Sequence, residues 1–261
     1  MQGTWYDSEA SNAAMQAGDG DLIRPAAAGS QAVGYEFFLV DGMPSTALLI
    51  HPTRANLQLF SARRAIIKGF LDRVVALLAL FVLLAPLVLI ALLIKLDSPG
   101  PVFFRQPRIG INETIFRIWK FRTMYHAQVD IHGAQLTARG DVRVTRIGSW
   151  LRKWSIDELP QLFNILAGEM SLVGPRPHAL QAGVGSRRYT EIVPAYHWRH
   201  VVKPGITGWA QVNGWRGETV EPYQIERRVL YDLDYIRRHS VLLDLRIILM
   251  TFTQLMGKHV F

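Results

Sequence analysis

The sequence has no cysteine in its 261 residues. Disulfides, thiolate metal sites and cysteine nucleophiles are therefore excluded. Acids are scarce as well: 21 Asp and Glu stand against 29 Lys and Arg, a formal net charge of +8. That balance favours an anionic partner, such as nucleic acid, a lipid surface or a phosphorylated small molecule. A secretory signal is missing too, because residues 1–34 carry acids early and have no basic segment leading into an apolar run. Rich in Ala, Gly and Ser, they read as a flexible tail. Residues 35–62 hold short strand-like patterns around Asp41 and Gly42.

What the sequence does have is a long apolar run, "VVALLALFVLLAPLVLIALLI", Val74–Ile94, with no charge in it. As a helix it would be about 30 Å long, close to the hydrocarbon thickness of a bilayer. The simplest reading of 63–95 is one transmembrane helix. Two features argue for another path. Pro86 cannot donate to the carbonyl of Val82, which predicts a break there. Cations flank both ends, Arg63, Arg64, Lys68 and Arg73 before and Lys95, Arg105 and Arg108 after, whereas a single crossing shows asymmetry. A re-entrant, Pro-broken membrane helix returning to the face it entered explains both. Residues 96–261 are expected to form one cytosolic and interfacial domain. The fold class is then mixed α+β, mostly helical, with a β-hairpin and interfacial helices.

Val102–Gln106 and Thr114–Arg122 are rich in β formers and flank a turn-prone "RIGINE", the pattern of a hairpin. Alternation along the second strand puts Phe116, Ile118, Lys120 and Arg122 on one face, with the two cations roughly 7 Å apart. This is either a solvated edge or part of an anion site. A polar loop, 125–145, and a basic helical stretch, "GSWLRKW", follow.

Next comes "RKWSIDELPQLFNILAGEM", 152–170. Leu159, Leu162, Phe163 and Leu166 fall on one helix face, and Gly168 supplies a stop. Ser155 and Glu158 imitate a capping box, but that start would set Pro160 at the fifth helical position. A start at Asp157 keeps Pro160 in the first turn, where no donor is needed. Asp157 and Glu158 then lie at a helix N-terminus, which keeps carboxylates ionised. An N-cap role explains Asp157 but not its neighbour, nor the surrounding Arg152, Lys153 and Arg176. Beyond Gly168, Pro175 and Pro177 stiffen the backbone around Arg176 and display its guanidinium, in a binding loop or a plain connection.

Together these residues resemble one family, the bacterial sugar transferases, or monotopic phosphoglycosyl transferases. The resemblance runs from about Lys68 to the C-terminus through "IKLDSPGPVFFRQPRIG", "FRIWKFRTM", "TRIGSWLRKWSIDELPQLFNILAGEMSLVGPRP" and "VKPGITGWAQVNGWRGET". Ile156 stands where leucine is usual and Thr123 where serine is common. The resemblance implies transfer of a sugar 1-phosphate from a UDP-sugar to undecaprenyl phosphate, with Mg2+ and release of UMP, at the cytoplasmic face of the inner membrane. It implies a re-entrant helix, Asp157 as covalent nucleophile and Glu158 as a metal-holding residue, with Asp157 beside it.

A carboxylate attacking a diphosphate approaches like charge, so nearby cations are required. Lys120, Arg122, Arg152 and Arg176 are the candidates; Pro175, Pro177 and Gln106 complete the expected substrate-binding set. Membrane lipid is an expected partner, and a homodimer is compatible with the sequence. Nucleic acid is not expected, because an acid pair among the cations repels a polyanion. The tail, from Val220, reads as two helices, the last one apolar enough to lie in the membrane interface. Tyr196, Trp198, Trp209 and Trp215 suit a headgroup-level belt or core packing equally. The branch that "GITGWAQVNGWRGET" resembles handles hexoses, glucose or galactose.

Overall fold

The computed structural model describes residues 62–126, 140–217 and 219–257, with side chains from 65 to 254. The expected tail, 1–34, the strand-like segment up to residue 61 and most of the polar loop lie outside the described residues. Helix α1, Ala62–Asp97, is followed by strand β1, Phe103–Ile109, a 3-10 turn at Ile111–Glu113, and strand β2, Ile115–Phe121. Then come α2, Arg146–Lys153, a 3-10 turn at Ile156–Gln161, α3, Leu162–Ala167, and β3, Ser171–Val173. Two short strands, β4, Gly183–Val184, and β5, Arg187–Arg188, precede α4, Tyr189–Ile192, and a 3-10 segment at Pro194–Val201. Strand β6, Gly205–Thr207, and α5, Trp209–Val212, lead into the two long helices α6, Pro222–Arg238, and α7, Val241–Gly257. The described chain is mixed α and β and mostly helical, as expected.

Helix α1 is long and apolar enough to cross a membrane by length and composition. The helical winding continues through Pro86, so the expected break does not appear as a gap in the helix. One stripe of α1 packs on the rest of the chain on both sides of that proline. Ala76, Ala79, Leu80 and Leu83 meet Phe116, Ile118, Leu162, Ile165 and Met170. Leu87, Ile90, Ala91 and Ile94 meet Phe121, Leu151, Val102 and Ile147. Steps of three and four residues are those of one helix face. Polar ties hold both ends: Lys68 Nζ donates to Asp244 at 2.7 Å, the Ser171 hydroxyl to Asp72 at 2.7 Å, and the Ile147 amide to Asp97 at 3.2 Å. The opposite face carries Phe70, Phe81, Val82, Leu89 and Leu96, all exposed. A continuous outward apolar surface of this kind marks a face suited to contact with lipid or another protein.

The hairpin forms as expected. β1 and β2 pair antiparallel, with Phe104 opposite Lys120 and Gln106 opposite Ile118. Phe116 and Ile118 are buried against α1, and Lys120 follows on the same face near the end of the strand.

The helix around the acid pair begins differently from expectation. The first turn, Ile156–Gln161, is a 3-10 turn entered from Ser155, whose backbone is left-handed at φ 56°. Asp157 is therefore not the N-cap, and the Ser155 side chain makes no capping bond either. The tighter winding accommodates Pro160 at the fifth helical position, two residues deeper than expected, before α3 continues to Gly168 at φ 81°. Glycine tolerates that left-handed stop without penalty. The buried face is also rotated: Leu162 and Ile165 are in the core, while Phe163 is exposed and meets the edge of Trp119. Asn164, wholly buried, explains the rotation. It accepts from the Trp119 amide and donates to the Arg117 carbonyl and to Glu169, tying α3 to β2.

β3 and β6 run parallel, Ser171 beside Gly205 and Val173 beside Thr207. The backbones of Gly174 and Gly205 approach so closely that a Cβ on either would collide with main-chain atoms of the other segment. This crossing fixes the point from which the Pro175–Pro177 loop emerges. The tail forms two helices as expected. On α7, Ile247 is fully buried, whereas Leu242, Leu245, Leu249 and Phe252 face outward. Tyr196 belongs to the core at 2 % exposure, and the three tryptophans are half-buried.

Candidate active site

The 3-10 turn brings Asp157 and Glu158 to the end of β2, with both side chains largely buried. Lys120 Nζ donates to Glu158 Oε1 at 2.8 Å and lies 3.8 Å from Asp157 Oδ2. Arg176 reaches the same acid from the other side, Nη2 to Oε1 at 2.5 Å and Nη1 to Oε2 at 3.1 Å. Two-armed arginine–carboxylate pairing of this kind is strong and directional.

The two acids therefore occupy opposite electrostatic situations. Burial alone would raise Glu158, but Arg176 and Lys120 outweigh it and hold its carboxyl well below the usual range. Asp157 has no hydrogen-bond donor on its carboxylate among the described residues, and Lys120 is beyond hydrogen-bond reach. Burial raises its pKa against the pull of Lys120, and the charge of Glu158 raises it further. One acid is neutralised by its surroundings; the other is a buried carboxyl with free lone pairs.

The loop between Pro175 and Pro177 is pinned by main-chain bonds, Gly205 N–H to the Pro175 carbonyl at 3.0 Å and Gly174 N–H to the Thr207 carbonyl at 2.9 Å. Arg152 Nε donates to the Thr123 hydroxyl at 2.8 Å and is electrostatically coupled to Asp157. Gln106 is buried and accepts from Arg108 Nη2, so it orients that arginine rather than facing the acids.

Arg122 is not at the site. Its Nη2 donates to the Ser98 carbonyl at 2.6 Å and its hydroxyl at 3.0 Å, and Nη1 to the Pro99 carbonyl at 2.8 Å. The strand ends at Phe121, so alternation no longer governs residue 122. The guanidinium instead closes the C-terminal end of α1, where unpaired carbonyls favour a cation.

Two site cations escaped the sequence reading. Arg216, within the "GWRGET" segment, donates from Nη2 to the Ser155 hydroxyl at 2.6 Å, immediately before the acid pair. Arg108 is coupled to Arg176 and Glu158, and burial followed by Arg176 lowers its pKa to about 10. Their positions in quoted motifs were the available signal; long-range packing put them beside the acids.

Among the described residues no group of three or more His, Asp or Glu could hold a metal by itself. The donor set present is two adjacent carboxylates. That fits magnesium, which usually takes one or two carboxylates and shares the rest of its shell with waters and substrate phosphates. The free lone pairs of Asp157 are compatible with this; Glu158 would have to share its oxygens with Lys120 and Arg176.

The family model for bacterial sugar transferases matches residues 63–258. The chain belongs to the bacterial sugar transferase family. Curated relatives agree. The undecaprenyl-phosphate glucose phosphotransferase of Komagataeibacter xylinus is 54% identical over 184 residues, 70% of this chain and 35% of that protein. A UDP-glucose:undecaprenyl-phosphate glucose-1-phosphate transferase of Xanthomonas campestris pv. campestris is 50% identical over 194 residues, 73% of this chain and 39% of the relative. The exopolysaccharide production protein PSS of Rhizobium leguminosarum bv. phaseoli is 47% identical over 183 residues, which cover 70% of this chain and 92% of that protein. The aligned part of this sugar transferase thus spans little more than a third of the first two relatives, and nearly all of the last.

Proposed function

We propose that this sugar transferase moves a hexose 1-phosphate, glucose 1-phosphate first among the candidates, from a UDP-sugar to undecaprenyl phosphate and releases UMP. The observation that carries the reading is the buried acid pair with its divided environment: Glu158 clamped by Lys120 and Arg176, and Asp157 without a hydrogen-bond donor among the described residues. The named activities of the relatives support the same substrates.

In this reading Asp157 Oδ attacks the sugar-bearing phosphorus. The bond to the bridging oxygen breaks, UMP leaves with that oxygen, and an acyl phosphate carrying the sugar remains on Asp157. An oxygen of undecaprenyl phosphate then attacks the same phosphorus, the carboxylate is released, and a lipid-linked diphosphosugar forms. Arg176, Arg216, Arg152, Arg108 and Lys120 supply positive charge where the transferring group carries negative charge, which is the main protein contribution to phosphoryl transfer. Bound Mg2+, held by Glu158 with Asp157 beside it, would neutralise the diphosphate further.

We further propose that α1 enters and leaves on one face of the inner membrane, with the catalytic part cytoplasmic. Packing of α1 on the domain both before and after Pro86 supports this, since a crossing helix would carry one half away from the domain. The outward apolar residues of α1 and α7 would then both meet lipid. The product is the first lipid-linked intermediate of a surface glycan or exopolysaccharide.

Purified protein in detergent, given Mg2+, a short polyprenyl phosphate and a panel of UDP-sugars, should release UMP with at least one sugar, and Asp157→Asn should release none. An active Asp157→Asn variant would overturn the role of the acid pair.

A further inference from the structure

A buried layer of charge lies behind the site. Arg199 is 1 % exposed and sends Nε and Nη2 to Asp232 Oδ2, at 3.0 and 2.7 Å. The same Nη2 donates to the carbonyl of Arg176 at 2.7 Å. Arg228, also buried, donates from Nε to the Trp215 carbonyl at 3.0 Å and from Nη2 to the Gly217 carbonyl at 3.1 Å. Those carbonyls flank Arg216. Arg228 and Asp232 lie one turn apart on α6, so a single helix face anchors both arrangements.

His178 lies between the two arginines. Its Nδ1 is 3.0 Å from Arg199 Nη1 and 2.8 Å from the Tyr196 hydroxyl, while Nε2 is 3.5 Å from Arg228 Nη1. An arginine only donates, so Nδ1 must be an unprotonated acceptor, and the neutral ring then carries its proton on Nε2. The longer spacing to Arg228 agrees, because two donors do not close to hydrogen-bond distance. Burial and the neighbouring arginines keep this ring uncharged.

Arg199 therefore grips the main chain of Arg176 itself, and Arg228 that of the two residues flanking Arg216. We propose that Arg199 and Arg228, spaced by neutral His178 and anchored through Asp232, are positioning residues that set where Arg176 and Arg216 stand beside the acid pair. The proposal rests on the phosphoryl-transfer reading above. None of the four touches Asp157 or Glu158, and their effect on turnover passes through the two site arginines. Displacement of a charged group by about 1 Å can cost on the order of 100-fold in rate, so a second layer of this kind has measurable leverage.

The test is a double-mutant cycle. Arg228→Lys keeps the charge but cannot bond both the Trp215 and Gly217 carbonyls, because an ammonium lacks the planar fork. It should lower kcat/KM for the UDP-sugar at least 10-fold in the parent, but less than 3-fold once Arg216 is already Gln. Equal factors in both backgrounds would mean a merely structural role and overturn the proposal. At the spacer, His178→Asn, which retains an acceptor near the Nδ1 position, should stay within about 3-fold of the parent where His178→Leu loses 10-fold or more. Equal loss in those two variants would also overturn it. Hydrogen–deuterium exchange of the full chain gives a readout independent of turnover. Arg228→Lys should speed exchange in 213–217 and leave 174–176 unchanged. If the parent turns over no UDP-sugar, the proposed function fails, yet unchanged exchange in 213–217 would still overturn the positioning role.

Discussion

Arg176 closes both arms of its guanidinium on Glu158, at 2.5 and 3.1 Å, while the residue before it, Asp157, has no hydrogen-bond donor on its carboxylate among the described residues. Neighbouring acids stand in opposite surroundings: Glu158 is stabilised as an anion, and burial raises the pKa of Asp157.

This division predicts opposite stability effects. The folded pKa of Asp157 is raised, so its favourable contribution is complete below its unfolded pKa and is lost as pH rises through the folded one. At neutral pH its charge destabilises the fold, and Asp157→Asn should raise the thermal midpoint. Glu158 is lowered, so its contribution is complete above its unfolded pKa and disappears as pH falls through the folded value. Glu158→Gln strands Lys120 and Arg176 and should cost about 3 kcal/mol at pH 7. Thermal scans in detergent from pH 8 down to the lowest pH at which the parent stays folded check both: the Asp157 difference should shrink first on acidification, and the Glu158 difference only below the usual carboxylate range.

Two arginines that looked alike in the sequence should separate experimentally. Arg122→Lys loses its fork on the end of α1 and should reduce stability by about 2 kcal/mol while leaving KM for the UDP-sugar within about 3-fold. Arg176→Lys keeps its charge but loses one arm on Glu158, so it should cost about 1 kcal/mol in stability and drop kcat/KM about 10- to 100-fold. Reversed outcomes would return Arg122 to the site.

The hairpin, the two tail helices, the Gly168 stop and the acid pair were legible because each follows from local pattern: alternation, period 3.6, a left-handed glycine, adjacent carboxylates. Arg122 was not, since alternation held only to Phe121 and the side chain then answered to α1 instead. The 3-10 turn was missed for a related reason: Pro160 excluded an ordinary helix from Ser155, and the tighter turn that tolerates it depends on a left-handed serine. Arg216, Arg199 with Asp232, and the Lys68–Asp244 pair join residues far apart in the chain, a relationship that no window of sequence displays.

The proposed same-face topology of α1 has a direct test. Single cysteines replacing Ser61 and Thr114, on either side of the helix, should both be protected from a membrane-impermeant thiol reagent applied to intact cells and both react in inverted vesicles. The chain has no native cysteine, so the labels are unambiguous. Labelling of only one of the two in intact cells would mean that α1 crosses the membrane.

The covalent step has the sharpest test. If Asp157 attacks phosphorus, UMP leaves before any lipid acceptor is bound, and the sugar phosphate stays on the protein. If Asp157 acts only as a base toward the lipid phosphate, both substrates must be present together and no adduct forms. The raised pKa of the isolated carboxyl suits a base as well as a nucleophile, so order of product release decides between them. Protein given UDP-glucose and Mg2+ alone, quenched rapidly in acid, should gain the mass of a hexose phosphate on the peptide containing Asp157. Asp157→Asn should gain none. Glu158→Gln should gain it at least 10-fold more slowly, because Lys120 and Arg176 lose the anion that holds them in place. Acyl phosphates hydrolyse, so the quench must be fast compared with turnover; UMP formed in a stoichiometric burst without lipid gives an independent count of the same event. UMP appearing only after polyprenyl phosphate is added, with no mass on the peptide, would leave Asp157 as a base and remove the covalent intermediate from the mechanism.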